Sequence, residues 1–293
     1  MNASTKPNIN KPGSRPLDLK NGRVDMSHGA GGRAMAQLIQ DLFVGAFDND
    51  LLNREHDAAM FELPPGRVVM STDSFVISPL FFPGGNIGAL AVHGTVNDIS
   101  MAGAKPYYLT AGFILEEGFP LSDLAQIVTS MAEAAKEAGV AIVTGDTKVV
   151  ERGHGDGIFI NTAGIGVAQD GLNICGDLAK PGDKILVNGT LGDHGVAVMS
   201  KRENLSFTTE ILSDSQALNG LVETMIKTVP DMHVLRDPTR GGLAATLNEI
   251  AHQSGVGIEL DEKSVPIRPE VKSACELLGL DPLYVANEGK LIA

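Results

Sequence analysis

Cysteine is scarce in this chain: Cys175 and Cys275 alone represent it, far apart and without metal-ligand spacing. That excludes a disulfide framework and a zinc site, and makes each thiol a small core residue. No apolar run is long enough to span a bilayer and no signal segment opens the sequence, so the expected compartment is the cytoplasm. Basic residues are outnumbered, 23 Lys and Arg against 36 Asp and Glu, for a net charge of -13. Such a balance argues against nucleic acid or an anionic membrane as partner, and a phosphorylated ligand would need metal ions as intermediaries. Also missing is the Gly-x-x-x-x-Gly-Lys-Ser/Thr loop of P-loop enzymes, and no nicotinamide fingerprint occupies a strand-turn-helix setting.

What is present is globular text, 43% hydrophobic and 20% charged, long enough at 293 residues for two domains. Residues 1–24 read as a disordered tail, 25–170 as a first domain and 171–293 as a second, with a linker rich in Gly, Asp and Pro around 171–182. The first domain alternates helices and strands, an α+β pattern. Its helix from Ile87 to about Ala104 contains no Lys, Arg or Glu and is apolar or small on both faces, so it should be buried nearly all round. Asp98 is its single charged residue. A cation explains it, and the alternative is a hydrogen-bonded structural Asp beside Asn97.

Val140 to Val150 is rich in β-branched residues and reads as a buried strand, yet it carries Asp146 and Lys148. Alternate strand residues share a face, so these two point the same way. They either pair with each other or receive Mg²⁺ and phosphate respectively. His28-Gly29-Ala30-Gly31-Gly32 precedes a helical pattern and can bring backbone N–H groups to an anion, or serve as a flexible connection.

The second domain opens with a short strand, Lys184–Asn188, and with His194, which either acts on a substrate or, as loop histidines more often are, is solvated. Then come a polar connection to Ser213, a helix from Ser215 to Thr228, a helix from Leu243 to Gln253, a strand over Val256–Leu260 and a helix over Pro269–Leu278. Asp237 before Pro238 fits a helix start as well as a ligand. The sequence stops on Leu291-Ile292-Ala293, text like the opening of a strand, so a truncated chain is expected.

Asp73, Asp98, Asp146, Asp237 and Glu288 share one setting: apolar or Gly-rich text, away from the solvated charge runs. Oxygen ligands of this kind suit Mg²⁺ held between carboxylates and phosphates, with Lys148 and Arg240 for the anion. The physical reading is an ATP–Mg enzyme outside the P-loop class.

At these motifs the sequence resembles a known family. Residues 28–32, Ser71-Thr72-Asp73-Ser74, Pro83-Gly84-Gly85-Asn86-Ile87-Gly88, Gly94-Thr95-Val96-Asn97-Asp98, Thr144-Gly145-Asp146-Thr147-Lys148-Val149, Asp237-Pro238-Thr239-Arg240-Gly241-Gly242 and Asn287-Glu288-Gly289-Lys290 are similar to the signature segments of HypE. HypE is the hydrogenase-maturation carbamoyl dehydratase of the PurM-like (aminoimidazole ribonucleotide synthetase) superfamily, and the likeness runs in order from residue 26 to 293.

The resemblance implies two α/β domains, the first pairing its sheet with that of a second copy as a barrel in a homodimer. It implies ATP and Mg²⁺ as cofactors, HypF as carbamoyl donor and the HypC–HypD complex as cyanide acceptor. It implies metal at Asp73, Asp98, Asp146, Asp237 and Glu288. Nucleotide contacts would come from His28, Gly29, Gly31, Gly32, Asn97, Thr147, Lys148, Arg240 and Gly241, with His28 and its glycines closing as a lid. Catalytic roles fall to Asp73, to Lys148 against phosphoryl charge, and to Glu288 as base or metal ligand. In the implied reaction ATP phosphorylates the oxygen of a carbamoyl group carried on a C-terminal Cys, phosphate leaves, and a thiocyanate remains. The family's Pro-Arg-Ile-Cys type tail is not in this sequence, and Cys175 and Cys275, inside the folded text, are expected not to replace it. Selenophosphate synthetase is the nearest alternative, but it has Cys or selenocysteine in the glycine-rich loop, where this chain has none. Aminoimidazole ribonucleotide synthetase and thiamine-phosphate kinase stand further off. A nucleotide-binding scaffold without turnover is the alternative from another class.

Overall fold

Glycine and alanine at the contact between two helices set the architecture of the first half. In the computed structural model, which describes residues 16–168, 170–205, 209–229 and 231–293, α1 (Arg33–Leu38) runs through a π-helical turn (Ile39–Val44) into α2 (Gly45–Phe47). β1 (Arg67–Phe75) follows, then a small hairpin of β2 (Phe81–Phe82) and β3 (Gly85–Asn86). Asn86 starts α3 (Ile87–Met101) by accepting hydrogen bonds from the backbone N–H groups of Gly88 and Ala89 at 2.9 and 3.2 Å. β4 (Ala104–Glu116), α4 (Leu121–Ala138), β5 (Ala141–Val150) and β6 (Ile158–Ala168) complete this half.

α3 is buried all round as its composition predicts, with Asp98 and Ala89 the two residues that keep some exposure. It lies against α4 so closely that a Cβ on Gly88 would stand 2.3 Å from the carbonyl oxygen of Ile127. Only a residue without a side chain fits there. The sheet order is β1-β6-β4-β5, with β4 and β5 parallel across the α4 crossover and the other pairs antiparallel. Helices cover one face. On the other, Val68 is 59%, Met70 73% and Ile114 44% exposed. Among the described residues the sheet is open, and no closed barrel forms within the chain.

Several expectations are corrected here. Residues 1–15 of the expected tail lie outside the described residues; 16–23 are mostly exposed, but the segment is tied down at its end. Val24 is 1% exposed, and its backbone exchanges hydrogen bonds with Phe119 and Gly118. The helix expected to start at Ser215 starts at Asn219, because Ser213 to Leu218 hold fixed contacts described below. No strand forms over Val256–Leu260, and Lys184–Asn188 supplies only a single bridge, Val187 to Ile292, which also bridges Arg236. Apolar text makes a strand only where a partner's backbone is available.

The second half contains α5 (Asp193–Arg202), α6 (Asn219–Thr228), α7 (Gly242–Ser254) and α8 (Pro269–Leu278), with small apolar clusters of their own. The chain is therefore a mixed α and β first half followed by a second half that, among the described residues, has helices and isolated bridges but no named strand. No helix of the described residues is long and apolar enough to cross a membrane.

Candidate functional site

Four of the singled-out acids approach one another where the two halves meet. Asp73, near the end of β1, turns toward α3: a Cβ on Gly94 would stand 3.6 Å from its Oδ2. Its Oδ1 accepts the backbone N–H of Ser74 at 2.8 Å. Asp98 projects from α3 and accepts the Ser71 hydroxyl at 2.7 Å. Asp237 and Glu288 come from two loops that are laced together, since Asn287 donates its backbone and side-chain N–H to the Pro238 carbonyl at 3.2 and 3.0 Å. Asp237 does not cap a helix; α7 begins after Gly241.

The electrostatics follow from burial and like charge. Burial raises the Asp98 carboxyl above its ordinary value, the Ser71 bond opposes this, Asp73 adds to it and Arg236 weakly offsets it. Burial pushes Asp237 up to about 6, helped by Asp98 and Asp73. Glu288 rises to about 8, through burial first and then through Asp237, Asp214, Asp73 and Asp98. Among the described residues no Lys or Arg forms an ion pair with Asp73, Asp98, Asp237 or Glu288; Arg236 is turned to Glu249 at 2.7 Å. A like-charged group without counterion is costly, and a divalent cation is the chemistry that relieves it.

The donors are hard oxygens, as Mg²⁺ prefers. Among the described residues no three His, Cys, Asp or Glu side chains are placed to hold a metal ion between them. Mg²⁺ is ordinarily held by one or two carboxylates together with substrate phosphates, so an open acidic set fits it.

The remaining predicted residues do not join the acidic set. Asp146 pairs with Gly112, Gly112 with Asn161, and Asn161 with Ser74 across the sheet. Residues directly opposite share a face, so Asp146 and Lys148 stand on the open face with Ser74, while Asp73 points to the helices. They are exposed, and Lys148 Nζ lies 2.9 Å from Asp146 Oδ2, so the buried charge expected from the strand text is not found. This pair, with the backbone N–H of Thr147, holds the Asp146 carboxyl below its ordinary value. Thr147 faces the core at 4% exposure.

Asn97, expected at nucleotide, is 2% exposed and fully engaged: it donates to the carbonyls of Gln216 and Glu288 and accepts from Leu218 N–H. His28 is no free lid residue. It is 7% exposed and its Nδ1 accepts the Asp25 N–H at 3.0 Å. Gly29 lets its loop lie on β5, where a Cβ would meet the Val149 backbone at 2.9 Å, while Gly31 and Gly32 are exposed. Arg240 is exposed, and Gly241, at φ +79°, precedes α7. His194 is not solvated: it is buried in α5, its Nδ1 is 2.9 Å from Ser213 Oγ, and its ring meets Phe82 edge-on. Cys275 is buried, whereas Cys175 is exposed rather than in the core.

Sequence reasoning missed Asp214 and Lys290. Their side chains are 5% and 9% exposed and 3.0 Å apart. Asp214 sits between two serines, like any polar loop residue; Lys290 in the apolar text after Glu288 was the available signal.

Comparison with known proteins adds the relationship. Residues 55–168 match the AIR synthase related protein, N-terminal domain, and residues 180–293 match its C-terminal domain. The chain is 67% identical over 277 residues to the carbamoyl dehydratase HypE of Azotobacter vinelandii, covering 94% of this chain and 81% of that one. A crystal structure of the hydrogenase maturation protein HypE in complex with ATP superposes with a TM-score of 0.89 at 56% identity, covering 91% of this chain and 79% of that chain. A HypE–HypF complex structure gives a TM-score of 0.76 at 58% identity, covering 87% of this chain and 83% of its counterpart.

Proposed function

This chain belongs to the HypE carbamoyl dehydratase family, built from two AIR synthase related domains, and we propose that it is an ATP-dependent dehydratase of hydrogenase maturation. One observation in the molecule carries this reading: Asp73, Asp98, Asp237 and Glu288 gather at the junction of the halves, with no ion-pair partner among the described residues. ATP is the nucleotide, as in the relative solved with it, and HypF is the protein partner, as in the complex of another.

Mg²⁺ belongs at the four acids, where it would neutralise phosphate charge during transfer. The rest of the chemistry belongs to the chain. A carbamoyl oxygen is a poor leaving group until it is phosphorylated. Loss of phosphate and of the two N–H protons then converts R–S–C(O)NH₂ and ATP into R–S–C≡N, ADP and phosphate. Glu288, whose carboxyl burial and the neighbouring acids raise to about 8 in the metal-free protein, is the base that takes an N–H proton from the substrate nitrogen, once Mg²⁺ has relieved that repulsion and left it ionised. Fully buried Cys275 is closed to a carbamoyl donor. Arg240, exposed just after Asp237, is the cation for the nucleotide within one copy, and Lys148, exposed on the open sheet face, would reach it from a second copy.

The family's homodimer suits the open sheet face, whose Val68, Met70 and Ile114 need a cover. HypC–HypD is the cyanide acceptor in this scheme. The domains divide as 25–170 and 171–293, a partition in keeping with the two matched segments.

Calorimetry with Mg²⁺ and a non-hydrolysable ATP analogue tests the site. Wild type binds with magnesium dependence, and Asp98→Asn with Asp237→Asn removes that dependence. Unchanged magnesium dependence in the double variant refutes the assignment.

A further inference from the structure

Glu288 has no position of its own; three residues of its loop are gripped by a side chain from elsewhere in the chain. Asp214 Oδ1 accepts the Glu288 N–H at 3.1 Å, and its Oδ2 accepts the Gly289 N–H at 3.3 Å and Lys290 Nζ at 3.0 Å. The contact is close enough to require glycine, since a Cβ on Gly289 would stand 1.8 Å from the Asp214 carbonyl oxygen.

Asp214 is itself immobilised from both halves. Ser213 Oγ is 2.9 Å from His194 Nδ1 on α5, and Ser215 Oγ is 2.9 Å from His93 Nδ1 on α3. Ser213 N–H also donates to the Pro83 carbonyl at 2.8 Å. Asn97, on α3 beside Asp98, reaches the Glu288 carbonyl at 3.3 Å from the other side. The residues that fix Glu288 are thus anchored to the helix that carries Asp98.

We propose that Asp214 is the positioning residue for Glu288: its carboxylate clamps the backbone of residues 288 and 289 through two N–H bonds. Lys290 balances its charge. This rests on the role of Glu288 given above. A carboxylate is the one side chain of this size that can accept from all three donors. An amide in its place turns a donor against one of them, so the loop shifts although the bulk is unchanged.

The test is a kinetic cycle on Mg²⁺-dependent ATP turnover in the presence of carbamoyl donor, run on the chain with a Pro-Arg-Ile-Cys type tail appended so that the carbamoyl group has its acceptor thiol. Glu288→Gln lowers kcat by roughly a hundredfold or more. Asp214→Asn lowers kcat by about a hundredfold, as for a misplaced catalytic group, with KM for ATP changed less than about threefold. The double variant turns over no slower than Glu288→Gln, because a positioning residue has nothing left to position. If Asp214→Asn fails to fold, Asp214→Asn with Lys290→Met replaces it, leaving neither charge of the buried pair alone. Wild-type kcat in a folded Asp214 variant, or full additivity in the cycle, overturns the proposal. Wild-type turnover in Glu288→Gln overturns the reading of Glu288 instead.

Discussion

Asp73 and Asp146 lie on opposite faces of one sheet. Asp73 is on the β1 edge turned toward α3, and Asp146 is on the β5 edge turned away from the helices. β1 and β5 are separated by three strand spacings, about 14 Å at ordinary sheet geometry. Within one copy they cannot share an ion. Asp98, in contrast, feels the Asp73 charge directly.

A mutant cycle on Mg²⁺–nucleotide affinity should report this difference. Asp73→Asn and Asp98→Asn each weaken binding by about tenfold, and together they show a coupling on the order of 1 kcal/mol. Asp73→Asn and Asp146→Asn combine additively if both act within a copy. Coupling of that pair, measured by titration calorimetry, would mean that a second copy brings Asp146 to the site.

Magnesium should decide how the protein tolerates alkali. The Glu288 carboxyl is raised in the folded state to about 8 from an ordinary value of 4.5, and Asp237 to about 6 from 3.8. A carboxyl with a raised folded value favours folding while it is protonated, and that contribution is lost as pH rises through the shifted range. Without metal, stability from these groups therefore declines from pH 3.8, where Asp237 begins to ionise in the unfolded chain, to about 8, where Glu288 ionises in the folded one. On the proposed reading Mg²⁺ binds the ionised set in the folded state only, so millimolar Mg²⁺ should restore the alkaline side. Melting curves at pH 5 and pH 8.5, with and without Mg²⁺, make the comparison. An equal Mg²⁺ effect at both would speak against the cluster.

How much of this was readable beforehand depended on whether a residue's neighbours in sequence are its neighbours in space. α3 announces itself, because fifteen residues with a single charge can only be interior. Asp98 stands out for the same reason, and so do Asp237 and Glu288 in glycine-rich text. β5 misled: its β-branched run is real, but Asp146 and Lys148 sit on the face that no helix covers, where a charge costs little. Asp214 was invisible. Its Ser-Asp-Ser setting reads as solvated loop, and its burial comes from residues more than seventy positions away in the chain. His28 and Asn97 carry the right motifs, yet their polar atoms are committed to Asp25, Gln216, Leu218 and Glu288.

Acid should loosen the joint between the halves. Burial lowers both His93 and His194 to about 4 from 6.5, and each bonds a serine on either side of Asp214. A histidine kept neutral by folding binds its proton more readily when unfolded, so stability falls as pH drops from about 6.5 toward 4. Each contributes about 3 kcal/mol at most over that range. His93→Gln should flatten the acid limb while costing some stability at pH 7.5. An acid limb as steep as wild type in denaturant titrations at pH 5 would remove His93 from the account.

The open sheet face gives the last test. Val68 and Met70 lie two residues apart on β1 and point the same way, exposed at 59% and 73%, and Ile114 on β4 is 44% exposed. Methionine and valine in that arrangement stand in water at a cost that a second copy would remove. A dimer built there excludes water from the whole face, so a charge placed at its edge strand has nowhere to be hydrated. Met70→Glu should convert a dimer to monomer in sedimentation analysis, while the monomer's helix content stays that of wild type. Because Asp73 is on the same strand but faces the helices, magnesium binding to its side of the sheet should survive the separation. A Met70→Glu protein that remains dimeric would place the contact elsewhere.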